Sequence, residues 1–193
     1  MELQIEYTPG ICLFLALLCL TVPIRWTGAF LLAAAVHECA HILAVCLQGG
    51  RIHSVTIGAS GAVIDTSVMT PAQELISLLA GPAGSLALVC LCRYFPRTAV
   101  CGLVHGIFNL LPVYPLDGGR ALVCVIDMFF GRETGKTVCV GISRAVWVTA
   151  AGAAGFCCFY LKWGILPVAA AAVILIKCFR GKLSCKDRDM GVQ

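Results

Sequence analysis

The sequence predicts an all-α polytopic membrane protein, with a small β-hairpin between spans two and three and a broken fourth span. Of its 193 residues, 60% are hydrophobic and 12% are charged, whereas soluble domains average roughly half apolar and a quarter charged. A membrane span needs about 20 mostly apolar residues, so the chain has room for about six transmembrane helices and no separate soluble domain. We therefore expect a single membrane-embedded domain over residues 1–193, with its core at residues 27–131.

Six apolar segments mark the expected spans, and the first of them is short for a membrane crossing. The fourth is too long for one straight helix. Pro112 and Pro115 in its middle remove backbone donors and disfavour helix in the residues before them. This segment is therefore predicted to form two half-helices joined by extended chain. The segments run from Ile11 to Ile24, Thr27 to Leu47, Ala72 to Phe95, Thr98 to Phe130, Val138 to Leu161 and Gly164 to Phe179.

The stretch between the second and third segments differs in composition from the apolar segments. The β-branched runs Arg51–Ile57 and Ala62–Thr66 flank a glycine-rich turn at residues 58–61. Short runs of this kind on either side of such a turn are typical of a β-hairpin. We expect a small β-hairpin here, between spans two and three.

Charge and cysteine usage narrow the classes of partner and compartment. The net charge of +4 is modest and its basic residues form no aromatic-studded patch, so nucleic acid is not an expected partner. Most of the 13 cysteines lie in apolar segments without regular pairing, and we expect them to stay reduced as small packing residues. Basic residues are more numerous on the side that the C-terminal tail shares, which predicts both termini in the cytoplasm.

The second segment contains His37-Glu38-Cys39-Ala40-His41, an HExxH pattern. On a helix the two histidines share one face about 6 Å apart along the axis, which suits two imidazoles binding one ion. Glu38 is turned about 100° from His37, so it can stay off the metal and act on a water as general base. The pattern also occurs by chance in soluble helices. In a bilayer helix, however, such ionisable groups are costly without a compensating cation, so we predict a metal site.

Two histidines leave a catalytic zinc site one ligand short, because such sites usually hold three protein ligands and a water. Asp117, at the break of the fourth segment, is the candidate third ligand. The alternative role for Asp117 is a helix N-cap, and the two roles are compatible. Extended backbone at membrane depth is tolerated only where it is buried in protein or lines a water-filled cavity, so the break at Pro112–Leu116 indicates an aqueous chamber.

The pairing of HExxH in one span with N-x-x-P-x-x-x-x-D-G-G in a later one resembles the site-2 protease family of intramembrane metalloproteases. The likeness covers the chain from about Thr27 to Phe130. The resemblance implies one zinc ion per chain, and the ligands and catalytic residues would be those that match the two motifs. These are His37, His41 and Asp117 as zinc ligands, Glu38 to activate the water, and Asn109 to position the substrate or the developing oxyanion.

The third-span signature of the same family is present only in part. It has Gly-Pro with an asparagine three residues after the proline, whereas this chain has Gly81-Pro82 followed by Ser85. Whether this span makes a polar contact is therefore open, although a serine hydroxyl can make one. His105 lies one turn before Asn109 and faces the same way. It lines the chamber or makes an interhelical hydrogen bond, and both readings stay open.

We therefore expect a zinc metalloendopeptidase that hydrolyses a peptide bond in or near a transmembrane segment of a substrate protein, as in regulated intramembrane proteolysis. The expected partners are that substrate, the lipid bilayer and a regulatory membrane protein, in a bacterial cell membrane. The six-span layout is similar to the stage IV sporulation branch of the family. Two alternatives remain: a metal transporter, since intramembrane His and Asp also mark ion pathways, and a catalytically silent scaffold.

Overall fold

The computed structural model describes residues 4–58, 61–67, 69–114 and 116–130, together with residues 134–135, 137–138, 140–143, 145–146 and 149. The chain divides into two compact units, Met1–Leu111 and Pro112–Gln193. Most of the predicted fifth span and all of the sixth lie outside the described residues.

The described elements are mostly helical, with one small sheet. In the first unit the elements are β1 (Gln4–Tyr7), α1 (Gly10–Thr21), α2 (Ile24–Leu47), β2 (Ile52–Gly58), β3 (Gly61–Thr66), α3 (Pro71–Ala87) and α4 (Pro96–Asn109). A 3-10 helix, Leu88–Leu91, follows α3 directly. In the second unit the structure describes α5 (Asp117–Phe130).

Among the described residues, two stretches of helix are long and apolar enough to cross a membrane. These are α2, with 24 residues, and Pro71–Leu91, with 21. At about 1.5 Å per residue, α2 is roughly 36 Å long, which exceeds the apolar thickness of about 30 Å in a typical bilayer. The apolar α1 has only 12 residues, because Pro23 starts a new helix where the sequence had suggested one run to Ile24. Large apolar side chains such as Leu32 and Leu43 on α2 are exposed, as lipid-facing residues would be.

The start of α3 is fixed by local chemistry. Thr70 accepts a hydrogen bond from the backbone N–H of Gln73, and the Gln73 side chain accepts one from the Thr70 backbone N–H. This reciprocal capping box satisfies donors that a helix start leaves without an intrahelical partner. Pro71 follows at the first helical position, where its missing N–H has no consequence. The helix therefore begins at a defined residue, and this sets the register of the residues that it presents to α2.

The first unit is built on mutual packing of α2, α3 and α4. The buried residues of α2 form a stripe in which most members are four positions apart, so they lie along one face of the helix. Small residues bring the backbones close, as is common between membrane helices: a β-carbon at Gly84 would lie 2.7 Å from Ala40 Cβ. The stripe consists of Thr27, Ala29, Ala33, His37, His41 and Val45.

The predicted hairpin is present and is part of a three-stranded sheet of order β1-β2-β3. Strands β2 and β3 pair antiparallel, with Val55 opposite Ile64, which confirms the prediction for residues 51–66. Strand β1 was not predicted. It has only four residues and pairs parallel to β2, with Gln4 opposite Ser54, so its formation depends on a partner about fifty positions away in the chain.

The predicted interruption of the fourth apolar segment is also present. Helix α4 ends at Asn109 and α5 begins at Asp117. Pro112 lies in the intervening stretch, where its missing N–H group breaks no helical hydrogen bond. The two predicted half-helices are therefore confirmed.

Candidate metal centre

The two histidines of the HExxH motif converge within α2. Both lie on its buried stripe, with 3% of His37 and 8% of His41 exposed. Their Nε2 atoms are 3.1 Å apart, and the two rings meet edge to face. The one-turn spacing therefore brings both imidazoles to a common point, as the sequence predicted.

Helix α3 engages the opposite nitrogen of each ring. His37 Nδ1 lies 2.9 Å from the Ser85 hydroxyl, and His41 Nδ1 lies 2.7 Å from the Ser77 backbone carbonyl. Since a carbonyl can only accept, His41 Nδ1 carries the hydrogen, which in the neutral imidazole leaves a lone pair on Nε2. A hydrogen-bonded Nδ1 with Nε2 directed inward is the usual orientation of a metal-binding histidine.

Glycine at position 81 makes this arrangement possible. A β-carbon there would overlap the imidazole of His41. Ser77, Gly81 and Ser85 follow one another at intervals of four, so one face of α3 presents small residues to the two histidines. The partial Gly-Pro signature hinted at close packing of this span, and the specific contact with His41 was not predicted.

A third histidine lies beside the pair. The ring of His105, on α4, meets the ring of His37 edge-on with centroids 4.7 Å apart. The same ring also meets the ring of Phe30 edge to face, with centroids 5.9 Å apart. The sequence left the place of His105 open, and the structure puts it next to His37.

Asn109 is the last residue of α4. Its side-chain amide donates a hydrogen bond of 3.1 Å to the His105 carbonyl, one turn earlier. An amide nitrogen carries two hydrogens, so a second one remains to donate. The sequence-predicted role of Asn109 needs such a donor.

The remaining motif residues take different positions on their helices. Glu38 is half-buried, and Cys39 is exposed on the side of α2 that faces away from the histidine pair. The prediction that Cys39 does not take part is consistent with that position. All eight cysteines for which the described residues give a state, Cys39 among them, are free thiols.

In the second unit, Asp117 occupies the first turn of α5 and is half-buried. The second glycine of the pair that follows has a steric cause: a β-carbon at Gly119 would overlap the backbone of Val113 and Tyr114. The Tyr114 N–H in turn donates to the Ser143 hydroxyl at 3.1 Å. Gly119 thus lets the chain fold back tightly onto the start of the helix that carries Asp117.

The donor chemistry of these residues fits a divalent ion. Two imidazoles and one carboxylate are a usual ligand set for catalytic zinc, and the sequence-predicted ligands His37, His41 and Asp117 are of these types. The convergence of two Nε2 atoms with their Nδ1 atoms engaged elsewhere supports the same assignment within the first unit.

Comparison with known proteins points the same way. The family model of Peptidase family M50 matches residues 66–151. A Mycobacterium tuberculosis protein provisionally named zinc metalloprotease Rip3 is 33% identical over 139 residues, which are 61% of this chain and 34% of the relative. Zinc metalloprotease MJ0392 of Methanocaldococcus jannaschii is 23% identical over 162 residues, or 75% of this chain and 48% of that protein. The chain therefore spans about a third to a half of these relatives' lengths.

The fold has a counterpart among solved structures. The site-2 protease from Methanocaldococcus jannaschii superimposes with a TM-score of 0.68 at 19% identity, over 94% of this chain and 91% of that one. Fold and motif thus define a membrane protein that carries a metallopeptidase signature within a membrane-length helix. The predicted resemblance to the site-2 protease family is confirmed.

Proposed function

We propose that this chain is an intramembrane zinc metalloendopeptidase that cleaves a peptide bond in or near a transmembrane segment of another protein. The observation that carries the proposal is the His37–His41 pair, buried in a membrane-length helix with both Nε2 atoms meeting at 3.1 Å. The similarity to zinc metalloproteases supports zinc as the ion.

His37, His41 and Asp117 hold the zinc in this proposal. Zinc supplies, when bound, a Lewis acid that polarises a carbonyl and lowers the pKa of a water molecule. Asp117 completes the three protein ligands that a catalytic zinc site usually has, and its place at the start of α5 leaves it able to support the helix end as well.

In this proposal Glu38 transfers the proton and Asn109 stabilises the negative charge that develops on the substrate. Glu38, one position after His37, takes a proton from the attacking water and delivers it to the leaving amine. Asn109 donates its second amide hydrogen to the carbonyl oxygen of the scissile bond as negative charge develops there. Its first hydrogen bonds to the His105 carbonyl, which fixes the direction of the side chain.

The substrate must present an extended strand, because the carbonyls of a helix are already hydrogen-bonded. The sheet order β1-β2-β3 leaves the outer side of β3 without a strand neighbour in the described part of the chain. An unwound substrate segment would add to that edge by main-chain hydrogen bonds. The cleaved segment would thereby be held extended before it reaches the metal.

The membrane setting completes the proposal. We infer six spans with both termini in the cytoplasm, a water-filled chamber at the break between α4 and α5, and a location in a bacterial cell membrane. The excess of basic residues on the side of the C-terminal tail supports this orientation. We further propose two partners, a membrane protein as substrate and a regulatory membrane protein, as in sporulation.

The test is cleavage in cells that co-express the chain with single-span membrane proteins encoded beside its gene, each tagged at both ends. Glu38→Gln keeps the size of the side chain and removes the base, so cleavage should fall by about 10²–10⁴-fold. Purified Glu38→Gln protein should still contain near one zinc per chain, whereas His37→Ala should lose both zinc and cleavage. Normal cleavage by the Gln variant would exclude Glu38 as the base. A wild-type protein that binds no zinc would refute the proposed function.

A further inference from the structure

We propose that Ser85 is a positioning residue that orients His37 so that its Nε2 atom binds the metal. The inference rests on the proposed function and extends it to a residue outside the HExxH and Asp-Gly-Gly motifs. Ser85 is completely buried, with 0% of its surface exposed. Its hydroxyl lies 2.9 Å from His37 Nδ1.

The chemistry of the pair sets the direction of the hydrogen bond in the zinc-loaded protein. A neutral imidazole that binds a cation through Nε2 carries its hydrogen on Nδ1. Ser85 Oγ must then accept that hydrogen. Such a contact fixes both the tautomer and the rotation of the ring, which is how groups behind a ligand tune a metal site.

Helix α3 also contacts the Nδ1 atom of the second histidine, His41. The Ser77 carbonyl takes the Nδ1 hydrogen of His41 at 2.7 Å, two turns before Ser85 on the same face. One helix thus orients both imidazoles. The difference is that the contact to His41 comes from the backbone and survives any side-chain change, whereas the contact to His37 depends on the hydroxyl of Ser85.

The surroundings hold Ser85 and His37 in place. A β-carbon at Gly102 would lie 2.6 Å from the Ser85 carbonyl oxygen, so α4 packs directly on this part of α3. The His105 ring meets His37 edge-on at 4.7 Å. With its hydroxyl engaged by the ligand and no surface exposed, Ser85 acts on the metal-binding histidine and not on the substrate.

The decisive measurement is zinc affinity by competition with a chelator of known affinity, on the purified full chain. Ser85→Ala should weaken zinc binding by about 10–100-fold, the usual effect of losing a group behind a ligand. Thr27→Val is the matched control. It deletes another buried hydroxyl from the α2–α3–α4 core, about 15 Å from His37 along α2, and zinc affinity should stay at the wild-type value.

A second pair of variants covers the case in which Ser85→Ala does not fold. Threonine and valine have the same shape, so Ser85→Thr and Ser85→Val differ at position 85 only in the hydroxyl, and the Thr variant should bind zinc more tightly. In the ¹⁵N-histidine spectrum of the zinc-loaded protein, the Nδ1 hydrogen of His37 should exchange slowly with solvent, and faster once the hydroxyl is gone.

The outcomes separate the two proposals. The positioning role is wrong if Ser85→Ala binds zinc as tightly as the wild-type chain does, or if Ser85→Val binds it as tightly as Ser85→Thr, with unchanged exchange at His37 Nδ1. The proposed function stands in that case, because the wild-type chain binds zinc. If the wild-type chain itself binds no zinc, the proposed function fails first.

Discussion

Gly81 on α3 lies directly against the imidazole of His41 on α2, so that a β-carbon at position 81 would overlap the ring. The contact joins two helices whose residues are 40 positions apart in the sequence. It makes the identity of one small residue a condition for the orientation of a metal ligand.

Gly81→Ala should therefore displace His41 and lower zinc affinity by about 10–100-fold, as other changes behind a ligand do. Gly28→Ala is the control, because a β-carbon at position 28 meets nothing within 4 Å. Zinc content after purification, measured together with the thermal unfolding midpoint, checks the prediction. Equal zinc content in the two variants would show that α3 can move away without consequence for the site.

Asp117→Asn separates a metal ligand from a helix cap. Asparagine caps helices about as well as aspartate does, so α5 should still form. Loss of the anionic ligand should cost more zinc affinity than the roughly 10–100-fold typical of groups behind a ligand. Circular dichroism and zinc titration measure the two effects separately. Full zinc binding and full cleavage in this variant would leave Asp117 with the capping role alone.

Asn109→Ala tests the proposed donor at the end of α4. Removing one hydrogen-bond donor to a developing oxyanion typically lowers kcat by about 10²–10³-fold. Zinc content should not change, since Asn109 is not among the proposed ligands. The neighbouring Leu110→Ala is a suitable control, because Leu110 is an exposed apolar residue. A normal kcat for Asn109→Ala would remove Asn109 from the mechanism.

Gly119→Ala should destabilise the second unit, because its β-carbon would overlap the backbone of Val113 and Tyr114. Overpacking of this kind costs about 1–3 kcal/mol. In the same unit, a β-carbon at the helical Gly141 meets nothing within 4 Å, so Gly141→Ala should keep the wild-type unfolding midpoint or raise it. The unfolding midpoints of the two variants, measured in the same detergent, test this prediction. Equal midpoints would show that the close approach of Gly119 to the backbone of Val113 and Tyr114 does not matter for stability.

The orientation in the membrane can be tested with fusions. A reporter that works only in the cytoplasm should be active when it is fused after Gln193, because segments rich in Lys and Arg stay on the cytoplasmic side of the membrane. A second reporter that works only outside the cytoplasm should be inactive at the same position. Activity of that second reporter would invert the proposed topology.

Several features could be predicted from the sequence because they depend on local backbone rules. Helical periodicity alone puts His37 and His41 on one face. The missing N–H groups of Pro112 and Pro115 indicate the interruption that separates α4 from α5. The β-branched runs around a glycine-rich turn predict the hairpin at residues 51–66.

The tertiary structure alone decided what surrounds the histidine pair. The Ser85 hydroxyl meets His37 across 48 positions of sequence, and His105 meets the same ring from α4. Strand β1 likewise needs β2 as its neighbour. Helix period and turn chemistry are set by residues a few positions apart, and are therefore readable in order along the chain. Contacts between helices depend on how closely their backbones approach and how each helix is rotated, and these are fixed only when all the packed faces are in place.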